Sequence, residues 1–172
     1  MISQKHDWAS ALTFLDREVS AFESLLDALK AQAHALRVFS IPELERCQLT
    51  LETALALTEN VVYERVKWQQ AHFGQSMPLT WLGLMEHAPE SIKKSKSEQV
   101  EHLRLLGNQV RVALAQLVHQ RVDLGLELLL LGHRLVEDDS SSIMNGLVDN
   151  LLELCSIFNF LGRVLWVQRV TA

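Results

Sequence analysis

Apolar and polar positions follow a regular helical pattern through most of the first forty residues. From residue 8 to residue 36, apolar side chains recur in steps of four and three. Because a helix turns once in about 3.6 residues, that spacing places them on one stripe. The stripe consists of Trp8, Leu12, Leu15, Val19, Phe22, Leu26, Leu29, Ala33 and Leu36. We therefore predict a helix over residues 5–39, with a solvent face that carries Asp16, Arg17, Glu18, Glu23, Asp27 and Lys30.

A second long helix is indicated directly after the first, by the sequence FSIPE. Ser40 and Glu43 fit a capping box, and Pro42 falls in the first turn, where its missing N–H costs nothing. We predict this helix over residues 41–73, with Gly74 as its C-terminal stop. Its stripe is Leu44, Leu51, Leu55, Val62, Val66 and Phe73, widened by Cys47, Ala54, Val61 and Trp68. The short connection predicts an antiparallel helical hairpin.

The segment 74–97 has a different composition, with two prolines, two glycines and several serines. We interpret it as a loop that contains one short helix between Pro78 and His87. A third long helix is then predicted over residues 98–136, starting near Ser97 or Glu98. Its apolar stripe consists of Val100, Leu103, Leu106, Val110, Leu114, Leu117, Leu124, Leu128, Leu131 and Leu135.

Arg121 interrupts the stripe of the third helix. One interpretation is that it extends to solvent, or pairs with an acid such as Glu127 or Glu52. The other is that it makes a polar contact to a partner in a groove.

A fourth helix is predicted over residues 143–169, with Ser141 or Ser142 as its N-cap. Its first apolar stripe is Met144, Leu147, Leu151, Leu154, Phe158, Leu161 and Leu165. A second stripe lies beside it and consists of Val148, Leu152, Cys155, Gly162 and Trp166. This wide apolar face is either buried between two layers or available to a partner. Trp81 and Trp166 lie in the two segments with surplus apolar surface, as core residues or as binding anchors.

The fold class expected from these patterns is all-α. We predict a single domain over residues 1–172, built as an elongated antiparallel bundle. It contains the long helical hairpin, the third long helix and the C-terminal amphipathic helix. An aromatic content of 6% is low for a β-sandwich or barrel and supports that choice.

Charge and cysteine content narrow the class of partner and the compartment. The net charge is −5, and the only basic cluster is Lys93, Lys94 and Lys96, so nucleic acid is not an expected partner. Cys47 and Cys155 lie far apart and suit a reducing compartment as small core residues. The N-terminus shows no apolar signal region, and no stretch of about 18 residues is free of charge. We expect a cytoplasmic protein without membrane insertion.

The residues offer no constellation for catalysis, so we expect a protein that is not an enzyme and has no cofactor. The seven histidines never pair at a spacing of three or four residues, and no Glu precedes a His by three. A di-iron bundle needs such ExxH pairs, and a structural zinc site needs four grouped ligands. A histidine phosphotransfer domain needs an exposed His with small neighbours. The residues after His34, His102 and His133 do not fit that pattern.

The chain resembles the FlgN-type flagellar export chaperones over roughly residues 10–137. The likeness is carried by the rhythm of LLDALKAQAHAL, the turn FSIPELER, the second helix LTLETALALTENVVYERVKWQQAHFG and the third helix after its loop. The match is one of helix length, spacing and turn position.

The resemblance implies binding without catalysis. Such a chaperone binds the C-terminal region of hook-associated (hook–filament junction) proteins in the cytoplasm and delivers them to the flagellar type III export gate. In that family a C-terminal amphipathic segment is implicated in binding. The matching residues here, with the neighbouring tryptophan, are Leu147, Leu151, Leu154, Phe158, Leu161, Leu165 and Trp166. The alternative is a self-associating helical structural or adaptor protein, with helix 143–169 as its homodimer interface.

Overall fold

The computed structural model is built from helices, and the predicted all-α class is confirmed. It describes residues 8–38, 40–74, 80–135 and Arg163, with the backbone alone at 41 and 128–135. The helices are α1 (Trp8–Arg37), α2 (Ile41–Phe73), α3 (Trp81–Glu86) and α4 (Glu90–Leu135). None of the described helices has an apolar run sufficient to cross a bilayer.

Contacts between the helices fix their directions. Arg17 bonds Glu64, whereas Gln32 bonds Gln48, so α2 runs antiparallel to α1. Asp16 accepts a bond from Gln99 near the start of α4, and Leu36 lies beside Leu124 near its end. α4 therefore runs parallel to α1, as the third helix of an up-down-up bundle does. α1 packs along both α2 and α4 and occupies the middle of the described structure.

The central position of α1 explains why it buries more than its predicted stripe. Leu15, Phe22 and Leu29 of that stripe are fully buried, as predicted. Two further rows with seven-residue spacing are buried beside it. They are Ala11, Glu18, Leu25 and Gln32, and then Ala21, Ala28 and Ala35. The assignment of Glu18 to the solvent face was therefore wrong, because a helix between two others is covered on more than one side.

The hairpin is built as expected, apart from its cap. Ser40 occupies the N-cap position of α2 and a proline stands in the first turn, but the Ser40 side chain makes no capping bond. Glu43 bonds Arg46 instead, so the predicted capping box does not form. Gly74 ends α2 with φ of 86°, a left-handed value that favours glycine, and its N–H donates to the Gln70 carbonyl.

The predicted loop over 74–97 needs the largest correction. α3 lies inside it, with the Thr80 side chain accepting from the Gly83 N–H as its cap. α4 begins at Glu90 rather than near residue 98, directly after Pro89, which suits a first helical turn. The segment SIKKSKS is polar because most of it faces solvent, and that polarity resembled a loop. The stripe of α4 is confirmed from Val100 to Leu117 by the buried residues Val100, Leu103, Leu106, Val110, Leu114 and Leu117. Leu124 is half-buried, and the side chains of Leu128, Leu131 and Leu135 lie outside the described part of the chain.

Candidate functional site

The most enclosed polar group lies where α3 meets the hairpin. Arg65 donates from Nε to Glu18 Oε1 at 2.5 Å and from NH1 to Gln69 Oε1 at 2.8 Å. Trp81 donates from Nε1 to Glu18 Oε2 at 2.7 Å. The Arg65 guanidinium also lies 5.2 Å from the centroid of the Trp81 ring. One carboxylate thus joins α1, α2 and α3.

Burial sets the chemistry of this group. Glu18, Arg65 and Gln69 are fully inaccessible, and Trp81 is 1% exposed. Burial raises the pKa of Glu18, while the charge of Arg65 and the bonds from Trp81 and Arg65 act in the opposite direction. No substrate reaches these atoms, so the group fastens α3 to the hairpin. The interpretation of Trp81 as an exposed binding anchor was wrong.

Aromatic rings surround the same end of the bundle. The centroids of Trp8 and Phe73 are 6.0 Å apart, and those of Phe14 and Trp68 are 6.1 Å apart. Trp68 also meets Phe73 edge-on at 5.9 Å. Such pairs add about 0.5–1.5 kcal/mol each beyond the area they bury. Trp8 and Trp68 therefore pack the end of the bundle.

The opposite end, near the hairpin turn, holds a polar cluster of another kind. Gln32 Nε2 donates to Gln48 Oε1 at 2.6 Å, and Arg121 NH2 donates to the same oxygen at 3.4 Å. Gln48 Nε2 donates in turn to Glu52 at 2.9 Å. Arg121 thus bridges α4 to α2. The Oε1 atoms of Gln32 and Gln120 are buried and have no hydrogen-bond partner among the described residues.

A small cleft opens beside this cluster, between the end of α1 and α4. Its volume is about 210 Å³. It is lined by Leu36, Arg37, Gln120, Asp123, Leu124 and Glu127. With only two apolar side chains in its wall, it lacks the apolar lining typical of small-molecule sites.

The described residues contain no group of three or more His, Cys, Asp or Glu side chains placed to hold a metal ion. His34, His72, His87, His102 and His119 are exposed. His72 Nδ1 lies 2.8 Å from the Trp68 carbonyl oxygen, and His119 Nε2 lies 3.4 Å from Asp123 Oδ2. Cys47 is buried, as its predicted core role requires.

Two rows of exposed side chains run along the outside of the bundle. On α2, Leu49 is 69% exposed and Tyr63 is 51% exposed, with the half-buried Ala56 midway between them. Because these three recur every seven residues, they form one line along the helix. A second line on α4 consists of Leu105, Val112, His119 and Leu126. Neither line was predicted from the sequence, although its seven-residue spacing was a signal there, because the core stripes have the stronger apolar pattern.

The predicted partner-binding residues lie outside the described part of the chain. They are Leu147, Leu151, Leu154, Phe158, Leu161, Leu165 and Trp166. Arg163, from the same segment, is helical and reaches α2. Its Nε donates to Glu59 Oε1 at 2.8 Å and its NH2 donates to Glu59 Oε2 at 2.6 Å. The hydrogen bonds that Arg163 donates to Glu59 raise the pKa of Arg163, and the charge of Glu52 acts in the same direction.

Comparison with protein-family models, with characterised proteins and with solved structures finds no match to the chain.

Proposed function

We propose that the chain is a cytoplasmic export chaperone without enzymatic activity. It binds the C-terminal region of flagellar hook-associated proteins and delivers them to the flagellar type III export apparatus. The observation that carries this proposal is the apolar row on α2, formed by the exposed Leu49 and Tyr63 with the half-buried Ala56 between them. The helix rhythm shared with FlgN-type chaperones supplies the class of client.

The row suits a helical client. An amphipathic helix presents anchors at intervals of three, four and seven residues, and Leu49, Ala56 and Tyr63 recur at the seven-residue interval. Each apolar side chain that such a client covers contributes about 1.5–3 kcal/mol on full burial. A client segment held in this way cannot use its apolar surface for premature assembly.

The alternative function is self-association as a helical structural or adaptor protein, through residues 143–169 or through the exposed rows. The seven-residue spacing of both rows favours it too, because that is the repeat of coiled-coil seams. Under this alternative a second copy covers the rows, and no client is needed.

Light scattering of the full chain separates the two functions. The chain is measured alone and mixed with a peptide from the C-terminal end of a hook–filament junction protein. We expect a monomer that forms a one-to-one complex. The variant Leu49→Ser with Tyr63→Ser should bind the peptide at least about tenfold more weakly, because two anchors are lost.

The matched control is Leu82→Ser on α3, since Leu82 is also more than half exposed but lies off the row. It should bind like the unmodified chain. A stable dimer that ignores the peptide would support self-association. Equal weakening by the control and the double variant would remove the row from the interface.

A further inference from the structure

We propose that the side of the bundle between α2 and α4 is the docking site for the chain's own C-terminal segment, 143–169, and that Arg163 and Glu59 hold it there. This inference stands apart from the identity of any client. Its occupant is named by one observed contact, which joins residues 104 positions apart in the chain.

The contact itself is specific. A guanidinium that donates two parallel bonds to one carboxylate fixes both distance and orientation. The Glu59 side chain is 24% exposed and that of Arg163 is 39% exposed, so the pair is partly screened from water. The nearby Glu52 adds a second negative charge that favours a cation at this position.

The contact lies on the side of α2 that faces α4. Glu52 and Glu59 are seven residues apart and therefore share one line along α2. Glu52 is bonded to Gln48, and Gln48 receives the bond from Arg121 of α4. Arg163 therefore enters the space between the two helices rather than the open side of the hairpin.

The space between α2 and α4 borders the apolar side chains of α1. Phe22 and Leu29 are fully inaccessible. α1 packs closely along both neighbours, but α2 and α4 do not approach each other in the same way within the described residues. α3 is only six residues long and covers the end near Glu18, about 16 Å along α1 from Leu29. The docked segment would complete the cover over the middle of α1.

The length of the chain after α4 fits the contact. Because α2 is antiparallel to α4 and Gln48 faces Arg121, Glu59 lies at about the level of Val110. If the helix that the sequence predicts over 143–169 folds back along α4, it would bring residue 163 to about the level of Ala115. The offset of about 7 Å lies within the combined reach of an arginine and a glutamate side chain. Chain length and the observed bond therefore agree on the same path.

The test uses hydrogen exchange on the full chain, with reversed charges. Arg163→Glu and Glu59→Arg should each reduce the protection of amides 143–169, by on the order of tenfold, because each places like charges together. The double variant, with the charges exchanged, should restore most of the protection. The matched control is Arg17→Glu, which breaks a cross-helix pair between α1 and α2 with a 2.7 Å contact. It should leave the segment's exchange unchanged.

A crosslink identifies which copy supplies the segment. Glu59→Cys and Arg163→Cys, with Cys47→Ala and Cys155→Ala, are treated with a short bismaleimide. We expect a crosslinked monomer. Crosslinked dimers would assign the site to a second copy and overturn the proposal, as would unchanged exchange in Arg163→Glu. No step involves a client, so failure here leaves the proposed chaperone function untouched, and loss of client binding leaves the docking site untouched.

Discussion

The two ends of the bundle differ in how their buried polar side chains are hydrogen-bonded. At the α3 end, the Glu18 carboxylate receives bonds from Arg65 and Trp81 on separate oxygens. At the hairpin end, Gln32 is equally buried, yet its Oε1 has no hydrogen-bond partner among the described residues. Aromatic rings surround the first group, while the second lies beside a polar cleft.

The contrast indicates where the bundle is fixed and where it can adjust. A buried network with its members paired resists rearrangement, because any movement leaves a charge without a partner. An unpaired buried acceptor costs about 1–3 kcal/mol, which lowers the local barrier to opening. We expect the α3 end to set the register of the helices. The hairpin end then accommodates changes in the position of α4.

The largest expected effect follows from removing the cation at the fixed end. Arg65→Ala leaves Glu18 buried and unpaired, and should lower the free energy of unfolding by about 3–5 kcal/mol. Urea unfolding followed by circular dichroism measures the change. The matched variant Glu18→Leu with Arg65→Met removes both charges and should lose less. A loss below about 1 kcal/mol in Arg65→Ala would show that this pair does not fix the end.

The stability of Arg65→Ala should also depend on pH, in a direction that follows from the pKa of Glu18. Burial already raises the pKa of Glu18, and loss of Arg65 raises it further. A raised pKa in the folded state favours the protonated acid, so its contribution to stability is present at low pH and is lost as pH rises through the folded pKa. The deficit of Arg65→Ala should therefore be smaller at about pH 5 than at about pH 8.

An intermediate effect is expected for Trp81→Phe. A smaller aromatic ring remains at this position, but Glu18 Oε2 loses its indole donor, which should cost about 1–3 kcal/mol. Hydrogen exchange should show faster exchange of α3 before the rest of the bundle opens. Trp68→Phe, in the neighbouring aromatic cluster, serves as the control and should cost less. If both variants lose the same stability, the indole bond has no special role in holding α3.

The smallest effect gives the sharpest comparison, because one substitution is made at both ends. Gln32→Met removes an unpaired acceptor together with the bond from Gln32 Nε2 to Gln48, while Gln48 keeps the bond from Arg121. The free energy of unfolding should stay unchanged or rise by about 1 kcal/mol. Gln69→Met removes an acceptor of Arg65 and should lower it by about 1–2 kcal/mol. Thermal unfolding of the two variants checks the signs, and matching signs would end the distinction between the ends.

The periodicity of the sequence was sufficient for the main helices, but not for what covers them. The hairpin and the core stripe of α4 follow directly from spacing. The burial of Glu18 could not be predicted, because a charged residue beside a stripe is covered only when two helices flank it. The start of α4 was missed because a polar helical turn and a polar loop have the same composition. Pro89 was the available signal.

The candidate binding surface was only partly visible in the sequence. The predicted residues of 143–169 were selected for their apolar stripes, and the described residues do not test them. Leu49 and Tyr63 were not selected, because their row carries one residue per seven, and a core stripe carries two. The contact between Arg163 and Glu59 joins distant parts of the chain, and no local pattern encodes such a pairing.

The central position of α1 also has a consequence for synthesis. α1 emerges from the ribosome first, and α2 covers one side of it through contacts 47 residues apart, such as Arg17 with Glu64. Its other side is covered only after α4 has been synthesised, since the bond between Asp16 and Gln99 spans 83 residues. At a translation rate of about 5–20 residues per second, apolar side chains of α1 stay uncovered for several seconds. The nascent hairpin is thus the stage at which this chain is most exposed to aggregation and to the chaperones of the cell.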